Sequence, residues 1–330
     1  MQHARLGRTG LQVSRICLGT MTFGLQVDED ASRAILDKAA DSGVTFLDTA
    51  DVYPLGGDLT TAGRTEEIVG RWLRGKRSDF VVATKCFGPM GRNRWDMGNS
   101  RRHILDAIDA SLRRLQTDFV DLYQLHFDDA GVPLDETLGA LDDLVRAGKV
   151  RYVGCSNFLA YRLARALGRS DVLGLARFVS VQPRYNLLFR EFERELFPLC
   201  LEEGIGVIPY NPIAGGMLSG KHDRTKAPEE GTRFTLGNAA KTYQDRYWHE
   251  NVFDTVDELV KIADDAGIPL PTLAVAWTLR QPAITSPIVG ASRPEQLDAT
   301  IDGVDTQLDD DLVERLNDVT AAYRRGDAPR

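Results

Sequence analysis

The chain has 330 residues, 43% of them apolar and 27% charged, with a formal net charge of −8. Such a composition supports a large buried core in a soluble protein, and no run approaches the roughly 20 uncharged apolar residues that span a bilayer. The acidic balance, without any basic block, argues against nucleic-acid binding, and the opening MQHARLGRTGLQVSRICLGT lacks the apolar core of a signal peptide.

In chain order, residues 4–14 place a Gly-rich turn between two short extended pieces, which predicts a hairpin closing the bottom of the fold. Apolar runs rich in Val and Ile then alternate with amphipathic segments. Strand 15–20 precedes helix 29–42, strand 44–49 precedes helix 65–74, and strand 79–85 precedes helix 101–115. Strand 119–126 precedes helix 134–147, strand 150–156 precedes helix 158–168, and strand 178–185 precedes helix 191–203. After strand 205–212 a long insertion, roughly 213–250, delays the next helix at 271–280. Strand 284–290, helix 294–301 and a tail helix at 309–323 complete the pattern. The strands are continuously apolar, as strands buried on both faces should be.

Eight strands each followed by a helical segment predict a closed (β/α)8 TIM barrel, with the hairpin, the insertion after strand 7 and the C-terminal helix as additions. An open doubly wound sheet is the rival. It needs a Gly-rich turn after its first strand, and GTMTFG at 19–24 is no such motif. No linker or composition shift divides the chain, so residues 1–330 read as one domain. The four cysteines are dispersed without a CxxC pair, and the five histidines have no ligand spacing. A metal site is therefore not expected, and buried thiols fit the cytoplasm.

In such barrels reactive groups gather at the C-terminal ends of the strands. Asp48 ends the second predicted strand, with Tyr53 just beyond it. Lys85 ends the third and His126 the fourth. An ammonium that stabilises a phenolate, and a carboxylate that fixes the ammonium, make a tunable general acid. A neighbouring imidazole can align a carbonyl oxygen. Each residue also has an ordinary reading: Asp48 as a cap, Lys85 as a solvated lysine, Tyr53 as packing, His126 as a satisfied strand-end histidine. Four complementary groups at three consecutive strand ends favour the joint reading.

FLDTADVY, VVATK, RLQTDFVDLYQLH, GKVRYVGCSNF, VSVQPRYNLL, GVIPYNP and PIVGASRPEQL together resemble the aldo-keto reductases, close to the branch of potassium-channel beta subunits, across nearly the whole chain. The resemblance implies that Asp48, Tyr53, Lys85 and His126 are a catalytic tetrad with Tyr53 the proton donor. It implies NADPH as cofactor, with Ser156, Asn157 and Gln182 on the nicotinamide carboxamide and Tyr210 stacked on the ring. Asn211 stands where the family more often has serine and still offers polar atoms. Gly216, Leu218, Gly220 and Lys221 would meet the pyrophosphate. Gly290, Ser292, Arg293 and Gln296 would hold the adenosine and its 2′-phosphate. Ala299 and Thr300 replace a common Glu-Asn pair, which leaves the adenine contacts open.

Met21, Phe23, Phe87, Trp95, Phe127 and Trp248 are the expected substrate walls, although Met21 and Phe23 read almost as well as core. The expected activity is reduction of an aldehyde, ketone or keto-sugar. The alternative is an NADPH-binding accessory subunit with little turnover. That reading calls for an N-terminal partner-binding extension, and the sequence opens on the hairpin instead. A barrel hydrolase would need a carboxylate pair or metal cluster and would give Lys85 no task.

Overall fold

The structure, a computed structural model, describes residues 1–326. Strands β1 (His3–Arg5) and β2 (Gln12–Ser14) pair antiparallel as the expected hairpin. Eight parallel strands follow: β3 (Cys17–Gly19), β4 (Phe46–Asp48), β5 (Val81–Cys86), β6 (Val120–Leu125), β7 (Val150–Ser156), β8 (Phe178–Gln182), β9 (Gly206–Val207) and β10 (Ile288–Val289). They hydrogen-bond in the order β10-β3-β4-β5-β6-β7-β8-β9. Bridges Val207–Ile284 and Tyr210–Ile288, with Ile288 N donating to Pro209 O at 2.8 Å, close the sheet on itself.

Helices α1 (Glu29–Asp41), α2 (Arg64–Trp72), α3 (Arg101–Leu115), α4 (Leu134–Arg146), α5 (Ala160–Leu173) and α6 (Leu196–Glu203) follow the first six barrel strands in turn. The expected ends of α3 are met at both residues, because Ser100 caps its first turn by accepting from His103 N and Gln116 leaves it in the left-handed region. Helix α5 continues past Gly168, whose missing side chain faces open space, and stops at Gly174, φ 64°. The expected helix 191–203 is broken: a 3₁₀ turn at Glu191–Glu193 precedes α6.

The insertion is a folded strap. It comprises 3₁₀ turns at Ala214–Ser219, Arg233–Thr235 and Gly237–Ala239 and helix α7 (Ala240–Tyr247). Helix α8 (Glu250–Ala266) then precedes α9 (Leu270–Arg280), α10 (Gln296–Ile301) and α11 (Asp310–Val319). Among the described residues no helix is long and apolar enough to cross a membrane, and no cluster of His, Cys, Asp and Glu could hold a metal. The four cysteines are buried and unpaired.

The main core lies between sheet and helices, while a second cluster fills the barrel interior. Cys17, Phe46, Ala83, Leu122, Ile208 and Ile288 line that interior, and Leu6 and Val13 of the hairpin seal it from below. Gly7, φ 57°, is required there, since a Cβ would lie 2.8 Å from Gly206 N and 2.9 Å from Val179 O. Successive side chains of a strand alternate between faces. The residues two steps beyond Phe46, Ala83, Leu122 and Ser180, namely Asp48, Lys85, Gln124 and Gln182, therefore form the next inward layer, at the open mouth.

Candidate active site

This upper layer is polar and closely bonded. Lys85 Nζ donates to Asp48 Oδ2 at 2.5 Å and to the Thr49 carbonyl at 2.8 Å, and lies 3.4 Å from the Tyr53 hydroxyl. Lys85 is fully buried and Asp48 nearly so. An isolated buried ammonium would be costly, so its charge is held only by this pairing. Burial pulls the Lys85 pKa down, but Asp48 and Tyr53 more than offset it, and the net direction is up. The other Asp48 oxygen, Oδ1, accepts from Gln182 Nε2 at 2.9 Å and Gln124 Nε2 at 3.1 Å, so the carboxylate is fixed on both sides.

Burial pushes the Tyr53 hydroxyl above its ordinary pKa, with Lys85 acting in the opposite direction. The sequence pointed to a phenolate stabilised by lysine; in the folded chain desolvation wins and the hydroxyl stays protonated. His126 is held well below its ordinary pKa, by burial first and then by the Lys85 charge. Its neutral ring stands edge-on to Tyr53, centroids 5.7 Å apart, and stacks on Phe127 at 5.2 Å. All four residues expected at the mouth converge there.

Gln124 escaped the sequence reading, although a glutamine in the apolar strand VDLYQL, two residues before His126, was a visible signal. Asp51 escaped its proper place too. Its carboxyl is fully buried, and neither oxygen has a side-chain hydrogen-bond partner among the described residues. Its neighbour Glu66 is engaged by Thr84 Oγ1 at 2.5 Å and by Arg114 Nε at 2.7 Å. Burial and then the Glu66 charge push the Asp51 pKa well up.

The residues expected near the nicotinamide also assemble. Ser156 Oγ donates to the Gln182 carbonyl at 2.8 Å, and Asn157 Nδ2 donates to Ser156 Oγ at 3.0 Å and to the His126 carbonyl at 2.9 Å. Tyr210 donates its hydroxyl to Asn157 Oδ1 at 2.8 Å. Gln182 Nε2 spends its hydrogens on Asp48 Oδ1 and Gln124 Oε1, which leaves its own Oε1 as the end able to meet a ligand. Asn211 adopts φ 59°, a conformation asparagine tolerates better than serine does, and its buried Nδ2 has no partner among the described residues.

Beyond them, the Ala214–Ser219 turn passes through Gly215 (φ 68°) and Gly216 (φ 104°). Gly220 and Lys221 are exposed just after it. Leu218 is wholly buried, so its expected contact reduces to its backbone. Gly290 follows β10, and a Cβ there would lie 3.6 Å from Arg233 Nη2. Arg233 Nη1 is buried without a partner among the described residues, which makes it a missed cation of this groove. No local periodicity announces it. Arg293 is exposed beside Ser292, whose N and Oγ donate to Gln296 Oε1 at 2.8 and 3.1 Å. Glycines that admit a backbone close to a ligand, together with buried unpartnered donors, suit an anionic phosphate group.

The expected substrate walls divide. Phe87 packs tilted against Phe127, centroids 5.5 Å apart, and so extends the ring run from His126 outward. Met21 is partly buried and accepts from Leu55 N beyond Tyr53, and Trp95 lies exposed under Arg102. Phe23 is corrected: it is fully buried in the main core. Trp248 is partly buried, and its ring packs against Phe234 (4.9 Å) and His222 (5.4 Å) of the strap and Phe253 (5.1 Å) of α8.

A family model described as the aldo/keto reductase family matches residues 15–321. The chain is 39% identical to the oxidoreductase YrpG of Bacillus subtilis over 328 residues, 97% of this chain and 96% of the relative. It is 38% identical to a probable voltage-gated potassium channel subunit beta of Arabidopsis thaliana, covering 92% of each. It is 33% identical to the versiconal hemiacetal acetate reductase of Aspergillus parasiticus, covering 96% of each.

Proposed function

Since the chain belongs to the aldo/keto reductase family, we propose that it is a cytoplasmic NADPH-dependent reductase of an aldehyde, ketone or keto-sugar, with Tyr53 as proton donor. One observation carries this reading: buried Lys85 bridges Asp48 and the hydroxyl of a Tyr53 kept protonated, beside a neutral His126.

The nicotinamide, when bound, supplies hydride to the carbonyl carbon. The rest falls to the chain. Ser156, Asn157 and the free end of Gln182 hold the carboxamide, and Tyr210 offers a ring face. The Gly215–Gly216 turn, Gly220, Lys221 and Arg233 accept the pyrophosphate, while Ser292, Arg293 and Gln296 receive the 2′-phosphate and adenosine. His126, unable to compete as a cation, directs a neutral N–H at the carbonyl oxygen. As charge builds on that oxygen Tyr53 releases its proton to it, and the phenolate left behind faces the Lys85 ammonium. Lys85 lowers the cost of that phenolate, and Asp48, braced by Gln124 and Gln182, holds Lys85 in register. Phe87 and Phe127 line the approach. A channel-subunit role of the kind named for the Arabidopsis relative would need no proton relay, and the grouping of Asp48, Lys85, Tyr53 and His126 favours the reductase reading.

The test is a titration with NADPH and NADH followed by tryptophan fluorescence, then initial rates with a panel of carbonyl compounds. Tight NADPH binding, weaker NADH binding and NADPH consumption support the proposal. Binding without turnover on any carbonyl favours the accessory role. Failure to bind either nucleotide refutes the reading.

A further inference from the structure

His222 lies in the strap with its ring held edge-on between Phe234 (centroids 5.0 Å) and Trp248 (5.4 Å). Its Nε2 is buried and has no hydrogen-bond partner among the described residues. His249, in contrast, places its Nε2 2.7 Å from the Asp245 carbonyl. Buried polar atoms are rarely left unsatisfied, and a nitrogen in that position calls for an explanation. The direction it faces supplies one. A Cβ built on Gly216 would have His222 Nε2 as its nearest neighbour, at 3.8 Å, so the nitrogen lies against the glycine turn at ordinary contact distance. An unpartnered ring nitrogen beside a side-chain-free backbone offers two neighbouring groups that one phosphate could engage together.

We propose that His222 is a ligand of the cofactor pyrophosphate and takes up a proton as the nucleotide binds. This rests on the cofactor reading above and adds to it a residue and a pH response. The charges bearing on the imidazole are Lys221 beside it, which disfavours its proton, and Glu229 farther along the strap, which favours it. Phe234 and Trp248 contribute no charge, and Arg233 belongs to the same groove near Gly290. Burial is the largest influence and holds the free imidazole below its ordinary pKa, so it is neutral when the groove carries no anion. A phosphate beside Nε2 reverses that balance, because an adjacent anion favours the charged ring. The pKa is then higher in the complex than in the free protein. Affinity gained from the proton is fully present below the free-state pKa and is lost as pH rises through the pKa of the complex.

The experiment is isothermal titration of the full chain with NADPH and with NADH between pH 6 and pH 8, in buffers of different ionisation enthalpy. It compares wild type with His222→Gln and His222→Phe, each checked for an unchanged thermal melt. Wild type should take up part of a proton and bind more tightly at pH 6. His222→Phe keeps the aromatic packing but lacks the donor, and should weaken both nucleotides about tenfold at pH 6, the scale of one charge-assisted hydrogen bond. His222→Gln keeps a neutral donor, so it should retain part of the affinity and lose the proton uptake. If both variants bind like wild type with the same uptake, His222 meets only water and the proposal is overturned. A loss confined to NADPH refutes the pyrophosphate assignment. If wild type binds neither nucleotide, the cofactor reading itself fails and this proposal with it.

Discussion

Asp51→Asn replaces a fully buried carboxyl with an amide of nearly the same shape, in a place where no side chain donates to it among the described residues and the Val52 backbone N–H only partly offsets its burial. The charges nearby are already matched: Lys85 with Asp48, and Arg114 with Glu66. Asp51 is the surplus acid, and burial followed by the Glu66 charge holds its pKa well above the ordinary 3.8. The native state therefore keeps a proton that the unfolded chain gives up above pH 4 or so. While pH lies between the unfolded and folded pKa values, wild type loses about 1.4 kcal/mol of stability per pH unit from this one group. The asparagine variant has no such loss. Relative to wild type its stability should climb by about that slope from pH 5 upward, and level off at the folded pKa of Asp51. Urea unfolding at pH 5, 6, 7 and 8, with the midpoint and slope determined for both proteins, measures the difference directly. A difference that stays flat with pH would refute the reasoning. So would a variant weaker by the roughly 3–5 kcal/mol that breaking a buried ion pair costs, since Asp51 would then be an ionised partner of Lys85 or Arg114.

Tyr53→Phe should lower kcat by about 10²–10⁴-fold, the usual worth of a general acid, while NADPH binds nearly as before; near-normal turnover would exclude Tyr53 as the donor. Arg293→Ala should weaken NADPH by about tenfold and spare NADH, as expected for one charge-assisted contact to the 2′-phosphate, and an equal loss for both would exclude that contact. Gly215→Ala would set a Cβ 2.6 Å from Tyr243 Cδ1 at a φ of 68°. It should cost about 1–3 kcal/mol in stability and weaken NADPH as the turn shifts, and a wild-type melting curve would show that the turn tolerates a side chain.

The barrel was legible because its signals are local. Continuous apolar runs mark strands covered on both sides, and Gly43 (φ 78°) or Ser100 mark helix ends with chemistry that does not depend on distant residues. The convergence of Asp48, Tyr53, Lys85 and His126 was legible for a related reason: once strands are parallel and in register, position along each strand fixes height in the barrel. Depth was harder to read. Phe23 and Phe127 are both aromatic and both near strand ends, yet one is fully buried and the other 46% exposed, a difference set by what packs over them. The strap was least legible. Its short 3₁₀ turns have no period to detect, so nothing local sets apart Arg233 and His222 or shows that Trp248 packs on Phe234. Helix α8 is a different case, since Val252, Val256, Leu259 and Ile262 carry the helical spacing in the sequence itself.

The hairpin that seals the barrel from below has a consequence for proton supply. Leu6 and Val13 are fully buried beneath Phe46, Ala83 and Leu122, so no watery route reaches Lys85 from that end. Proton exchange with bulk solvent is then left to the mouth, the opening that the proposed nucleotide and substrate would share. On the proposed mechanism, the hydroxyl of Tyr53 would give up one proton per turnover and regain it through that opening.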